Sequence, residues 1–149
     1  MRVLALDLGS KRIGVAVSDD GGTVATPIAT LARHADTVRL HREIAELVAE
    51  WEADLLLLGL PIALDGSIGP AATAVLAERD QLAAVVGVPV EVHDERMTTR
   101  IADRSLRERG DLDSRARKGL VDQVAAAVIL QDWLDHGPAP GAPHGGPST

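Results

Sequence analysis

The stretch VLALDLGSKRIGVAV, residues 3–17, decides the fold. Two short apolar runs flank a polar turn, and Asp7 closes the first run. A carboxylate at the end of a buried strand costs free energy unless it is paired, hydrogen-bonded or bound to a metal. Gly9 and Gly14 allow a tight turn and the close approach of a ligand. The stretch therefore predicts two strands joined by a glycine turn that carries a metal or phosphate site.

The composition of the chain is that of one globular domain. Its 149 residues suffice for a sizeable core, which must be built from Leu, Val, Ile and Ala because Trp51 and Trp133 are the sole aromatic residues. The sequence contains no cysteine, which excludes a disulfide framework, a thiol nucleophile and a cysteine-based zinc site. We see no signal peptide and no apolar run long enough to span a bilayer, so we expect a cytoplasmic protein without membrane partners.

Apolar periodicity predicts an α/β fold with the element order β-β-β-α-β-α-β-α-α. The predicted strands are about residues 4–6, 13–18, 23–30, 55–58 and 90–93, and the predicted helices are about residues 37–51, 70–86, 98–109 and 114–135. Crossovers through helices imply parallel pairing, and Pro27 suits an edge strand. We therefore expect a five-stranded mixed sheet, an antiparallel meander plus parallel strands, with helices on both faces. We assign residues 1–136 to this domain and residues 137–149 to a disordered Gly/Pro-rich tail.

Acidic side chains are predicted to gather at one edge of this sheet. In open α/β sheets, ligands bind outside the carboxyl ends of the parallel strands, and Asp7 and Glu95 follow two such ends. Asp122 lies at the margin of the predicted buried stripe of the last helix, which consists of Val121, Val124, Ala125 and Val128. Converging carboxylates repel unless a cation lies between them, and oxygen ligands suit Mg²⁺ or Mn²⁺. Such metals activate water and stabilise the transition state of phosphodiester hydrolysis.

Each acid also has an ordinary structural explanation. A lone aspartate at a strand end is commonly a turn residue, which applies to Asp7. The other two acids have basic neighbours in sequence: Lys118 for Asp122, and Arg96 or Arg100 for Glu95. The metal hypothesis therefore depends on the convergence of all three acids.

Basic residues are concentrated in one segment of an acidic chain. The net charge is -7, yet eight of the 15 Lys and Arg residues lie between residues 96 and 118. Part of this segment fits a helix with a basic face, which is either a solvated surface or a contact for phosphates. Lys11 and Arg12 in the first turn can likewise hold a phosphate or form an exposed hairpin tip. The predicted nucleic-acid contacts are Lys11, Arg12, Arg96, Arg100, Arg104 and Arg107.

Four motifs in order give the chain a resemblance to a known family. They are DLGSKRIGVA at residues 7–16, GLP with DGS at residues 59–67, DERMTT at residues 94–99, and DQVAA with ILQD at residues 122–132. Together they resemble the YqgF/RuvX family over about residues 1–135. The resemblance implies an RNase H-like fold, and a role either as a Holliday junction resolvase or as a nuclease maturing the 5′ end of pre-16S rRNA. It also implies that Asp7, Glu95 and Asp122 are the catalytic acids.

The second of the three acids along the chain lies at a different position from the corresponding acid of more distant resolvases. Those proteins often carry an acid just after the fourth strand, where this chain has Gly59, Leu60 and Pro61. The second acid is therefore expected to be Glu95, after the fifth strand. The reserve candidates are Asp94 and Asp65.

The leading hypothesis is a nuclease that uses Mg²⁺ or Mn²⁺ on structured RNA, with pre-16S rRNA as the favoured substrate. A Holliday junction resolvase is the alternative within the same class, and it is expected to be a homodimer, whereas the RNA nuclease can be a monomer. A non-catalytic RNA-binding or ribosome-assembly module is an alternative of another class. An ATPase of the sugar-kinase and actin type is disfavoured because the chain has a single phosphate hairpin and no duplicated domain.

Overall fold

A computed structural model describes residues 1–63, 65–95 and 114–136, with side chains in the last range described from residue 122 onward. The elements are β1 (Val3–Leu8), β2 (Arg12–Ser18), β3 (Ala25–Ala32), α1 (Thr37–Glu50), β4 (Leu55–Leu60), α2 (Pro70–Ala83), β5 (Val90–Asp94) and α3 (Ser114–His136). The strand order is β3-β2-β1-β4-β5. The first three strands are antiparallel neighbours, and β1, β4 and β5 run parallel. The predicted α/β class and mixed sheet are confirmed.

Several predicted boundaries differ from the observed ones. Strand β3 is shifted two residues toward the C-terminus, and Pro27 lies in this edge strand as predicted. Helix α2 ends at Ala83 because the following residues form turns. The predicted basic helix at residues 98–109 and the predicted tail lie outside the described residues, so the division of the chain into domain and tail stays a prediction.

The strands bury both faces of the sheet, as continuous apolar runs require. Along β1, Leu4 and Leu6 face the layer of α1 and α2, whereas Val3 and Ala5 face α3. Strand β4 alternates in the same way, so the core has two halves with the sheet between them. Within the described ranges, no helix combines the length and apolarity needed to cross a membrane.

The buried stripe of α3 is not the predicted one. The residues that pack against the sheet are Ala125, Ala126, Ile129, Leu130 and Trp133. Val124 and Val128 are half-buried, so the predicted stripe was wrong in phase. Nearly every residue from 124 to 130 is apolar, and sequence periodicity could not fix the rotation of this helix. The observed rotation places Asp122 in line with Ala126, Ile129 and Trp133, on the face toward the sheet.

Candidate active site

Asp7 lies near the end of β1 on the α3 side of the sheet. It follows Val3 and Ala5 in the alternation of the strand, and its backbone is paired with Gly14 of β2. Burial, and to a smaller extent the nearby carboxylate of Asp122, together raise the pKa of Asp7 from 3.8 to about 6. The turn after Asp7 is closed by the Gly9 amide, which donates to the carbonyl oxygen of Arg12 at 3.0 Å.

Asp122 reaches the same region from α3. A Cβ added at Gly14 would overlap the backbone carbonyl oxygen of Asp122, so α3 crosses β2 at a distance that a glycine alone permits. The side chain of Asp122 is mostly buried, and its Oδ2 accepts a hydrogen bond of 2.8 Å from Arg12 Nε. Arg12 therefore neutralises Asp122 from the turn that follows Asp7.

Glu95 approaches from the other side, directly after β5. Its amide donates to the carbonyl oxygen of Leu60 at 3.2 Å, which continues the pairing of β5 with β4. A Cβ added at Gly59 would overlap Glu95 Oε2 and would lie 2.6 Å from Ile129 Cδ1. Burial, followed by the charges of Asp7 and then Asp94, together raise the pKa of Glu95 from 4.5 to about 7. The structure thus brings Glu95 beside Asp7 under helix α3.

The two reserve candidates lie elsewhere. Asp94 pairs in register with Leu60. In the alternation of β5, Asp94 comes after Val90 and Val92, whose side chains pack on the α2 side of the sheet together with Leu60. Strand alternation consequently turns Asp94 to the opposite face from Glu95. Asp65 is exposed in the loop after β4, where its Oδ1 accepts from the Ser67 amide at 2.9 Å. The geometry favours Glu95 over both as the partner of Asp7.

The donor set of this region fits a hard divalent cation. Asp7, Glu95 and Asp122 offer carboxylate oxygens, which Mg²⁺ and Mn²⁺ prefer. The pKa values of Asp7 and Glu95 are raised mainly because burial disfavours their charged forms and also because neighbouring carboxylates repel them, and a cation would relieve both costs. Among the described residues, no three acidic or histidine side chains lie close enough together to hold a metal ion, and Asp122 Oδ2 is bonded to Arg12.

The predicted nucleic-acid contacts are only partly described. Lys11 is exposed at the hairpin tip, next to Arg12. Four others, Arg96, Arg100, Arg104 and Arg107, lie outside the described residues, as do the pairings of Glu95 with Arg96 or Arg100. The pairing of Asp122 with Lys118 is not described either, because the Lys118 side chain lies in the undescribed part of α3. The role of these basic residues stays a prediction.

Sequence reasoning missed two features that hold the acids in place. Gly14 and Gly59 each admit a neighbour that any side chain would displace, and a glycine inside an apolar run was the available signal. His93, on the same face as Glu95, has its Nε2 2.6 Å from Asp132 Oδ2 and so ties β5 to α3. No local pattern in the sequence predicts that pair.

The raised pKa values predict an unusual pH dependence of stability. A carboxyl group whose pKa is higher in the folded protein destabilises the fold when ionised, and stability returns as the pH falls through that pKa. Without divalent metal, the free energy of unfolding should therefore rise by about 2 kcal/mol from pH 8 to pH 5, less than both shifts in full because pH 5 still lies above the ordinary pKa values of the two acids and their titrations are coupled. Urea unfolding in EDTA would measure it.

Glu95→Gln is the matched control for this pH series. The variant removes the group with the higher of the two raised pKa values and leaves Asp7, so its stability should change less between pH 8 and pH 5. A wild-type protein that loses stability as the pH falls from 8 to 5 would contradict the electrostatic description of the site.

Comparison with known proteins adds an independent finding. The family model described as "RuvX: Holliday junction resolvase" matches residues 1–136. A protein of Anaeromyxobacter sp. (strain Fw109-5), named "Putative pre-16S rRNA nuclease", is 45% identical over 135 residues, which cover 91% of this chain and 97% of that protein. A protein of the same name from Mycobacterium sp. (strain KMS) is 44% identical and is covered over 79% of its length.

A solved structure shares the fold at low sequence identity. The chain matches RuvC of T. thermophilus, solved in complex with a Holliday junction substrate, with a TM-score of 0.58 and 18% identity. The match covers 92% of this chain and 97% of that one. The fold is therefore RNase H-like, as the motifs implied.

Proposed function

Since the chain belongs to the RuvX family, we propose that it is a divalent-metal-dependent nuclease that matures the 5′ end of pre-16S rRNA in the cytoplasm. The observation that carries this proposal is the meeting of Asp7 and Glu95 under α3, with Asp122 delivered to Asp7 by the same helix. The names of the two relatives support the RNA substrate. Acids whose pKa values are raised by burial and by neighbouring charges are a feature of functional sites.

The three acids would hold the metal, Mg²⁺ or Mn²⁺. When bound, the metal supplies an activated water molecule and stabilises negative charge on the phosphate. The protein's own contribution is to keep Asp7 and Glu95 dehydrated and at fixed positions on two parallel strands. Because their pKa values are about 6 and 7, protons compete with the metal at these acids below neutral pH.

Arg12 has two roles in this proposal. Without metal, Arg12 neutralises Asp122. This ion pair lowers the electrostatic free energy of keeping a third carboxylate close to Asp7. With metal and substrate bound, the guanidinium of Arg12 and the exposed Lys11 would hold phosphates of the substrate backbone. Trp51 ends α1 and Trp133 is buried, so the described part of the site offers no aromatic ring for base stacking. Recognition through the backbone and the shape of folded RNA is favoured.

Cleavage of Holliday junctions is the second candidate function, favoured by the description of the matching family. Such an enzyme would act as a homodimer, because two symmetric strands must be cut by two sites. An RNA nuclease can act as a monomer or as a homodimer. A non-catalytic RNA-binding module is the remaining alternative, and it would not need three converging acids.

Parallel cleavage assays test the proposal. A 5′-extended 16S precursor RNA, an unstructured RNA and a four-way DNA junction should each be incubated with Mg²⁺, with Mn²⁺ and with EDTA. We expect metal-dependent cutting of the precursor with a kcat/KM at least about tenfold above that of the junction. Faster cutting of the junction by a dimer would favour the second candidate. Binding of the precursor without cutting under any metal would support the non-catalytic module.

A further inference from the structure

The turn that carries Asp7 is separated from helix α2 by a cavity. The cavity has a volume of about 280 Å³, with Leu8, Gly9 and Ser10 on one wall and Ala71, Ala74 and Val75 of α2 on another. Helix α2 packs mainly on β4 and β5. On this side the turn therefore lacks the close packing that fixes most buried segments.

One side chain crosses from this turn to α2. Arg33, just after β3, donates from Nε to the carbonyl oxygen of Gly9 at 2.9 Å, and its backbone amide donates to the carbonyl oxygen of Lys11 at 2.9 Å. Its two terminal nitrogens donate to the two oxygens of Glu78 at 3.1 Å each. A forked pair of this kind fixes direction as well as distance.

Glu78 is itself held from a second helix. His41 of α1 is buried, and its Nε2 lies 2.8 Å from Glu78 Oε2. Burial acts to raise the pKa of Glu78, but the hydrogen bonds from Arg33 and His41 outweigh it and the pKa is lowered. Glu78 is therefore a buried carboxylate with two fixed partners on different elements. Together, Arg33, Glu78 and His41 form the Arg33 cluster.

We infer that the Arg33 cluster positions the catalytic turn: Arg33 is a positioning residue that holds residues 7–12 against α2 across the cavity. Neither Arg33 nor Glu78 is among the three acids proposed to hold the metal, so the cluster acts through the turn. The inference rests on the proposed function for its effect on metal binding and cleavage. Its effect on the turn itself does not depend on that function. Loss of a residue that holds the metal ligands in place without contacting the metal commonly lowers metal affinity or activity by about 10- to 100-fold.

The test compares Glu78→Gln and Arg33→Lys with Leu82→Ala. Both cluster variants remove the two-bond pair between Arg33 and Glu78. In Glu78→Gln one acceptor oxygen is replaced by an NH₂ group, which cannot accept from the guanidinium, and in Arg33→Lys a single ammonium group replaces the planar guanidinium. Leu82 is buried one turn further along α2, so its truncation lowers stability without touching the turn. All proteins are compared at a temperature at which each is fully folded.

Three measurements separate positioning from general stability. The first is amide hydrogen exchange of Gly9 and Arg33 in EDTA, relative to the amides of β1 and β4. The second is the dissociation constant for Mn²⁺ in calorimetry, and the third is kcat and KM on precursor RNA. We expect at least tenfold faster relative exchange, about tenfold weaker Mn²⁺ binding and a lower kcat with little change in KM for both cluster variants. Leu82→Ala should keep the wild-type values.

The outcomes distinguish the two proposals. Unchanged exchange of Gly9 and Arg33 in Glu78→Gln would overturn the inference, whatever the protein cuts. Equal losses of Mn²⁺ affinity in Glu78→Gln and Leu82→Ala would also overturn it, because the cluster would then act through stability alone. If the wild type neither binds Mn²⁺ nor cuts RNA, the proposed function fails, whereas selective loosening of the turn in both cluster variants would still support the positioning role.

Discussion

Asp7→Asn should abolish metal-dependent cleavage, by at least about 10³-fold, and should make the metal-free protein more stable. Asparagine keeps the shape of the side chain but removes one charge from the proposed metal site, and a metal held there would contribute several kcal/mol of charge stabilisation in the transition state. The same change removes a buried charge that repels Glu95 and Asp122. We expect a gain of about 1–2 kcal/mol in the free energy of unfolding at pH 8, a trade-off common at active sites.

Single-turnover cleavage and urea unfolding in EDTA measure the two effects of Asp7→Asn. Asp80→Asn is the matched control, since Asp80 is an exposed aspartate of α2 with a surface partner, Arg79. It should change neither quantity. Cleavage by Asp7→Asn at the wild-type rate would eliminate the metal-site mechanism. A lower stability of Asp7→Asn than of the wild type would mean that Asp7 is structural.

Glu95→Gln should lower cleavage by at least about 10²-fold, whereas Asp94→Asn and Asp65→Asn should stay within about tenfold of the wild type. Glu95 lies beside Asp7 and against Gly59. Asp94 faces the other side of the sheet, and Asp65 binds its own loop. Asp94 still contributes to the raised pKa of Glu95, so Asp94→Asn should move the midpoint of the pH–rate profile slightly downward.

Initial rates of the three variants between pH 5.5 and 9, at saturating Mn²⁺, would rank the candidate acids. The set contains its own control, because all three substitutions exchange a carboxylate for an amide. A larger loss of cleavage rate in Asp94→Asn than in Glu95→Gln would contradict this assignment. It would show that Asp94, and not Glu95, lies on the same side of the sheet as Asp7 in solution.

The first hairpin could be predicted because its determinants are local. Two apolar runs, an acid and two glycines within fifteen residues specify strand, turn and strand without reference to the rest of the chain. The parallel strands followed from the helices between them. Asp7 could therefore be singled out before any tertiary contact was known.

The partners of Asp7 could be placed only approximately. A shift of one residue along β5 exchanges Asp94 for Glu95 on the α3 face, and the sequence does not fix that register. The rotation of α3 was undetermined for a related reason, because its apolar residues nearly encircle the helix. The Arg12–Asp122 pair spans 110 residues and the Arg33–Glu78 pair spans 45, so no periodicity within one element reports them.

The close crossing of α3 over Gly14 has a consequence for the nascent chain. The ribosome synthesises β1 early and α3 late, and the last acid reaches Asp7 when α3 docks on β2. A chain that lacks a docked α3 would leave Asp7 and Glu95 on an uncovered sheet face, where water lowers the cost of their charges and Asp122 is absent. If the proposed function holds, a partly made chain would therefore be inert toward the RNA of the ribosome that is making it, and completion of the fold would be the activating step.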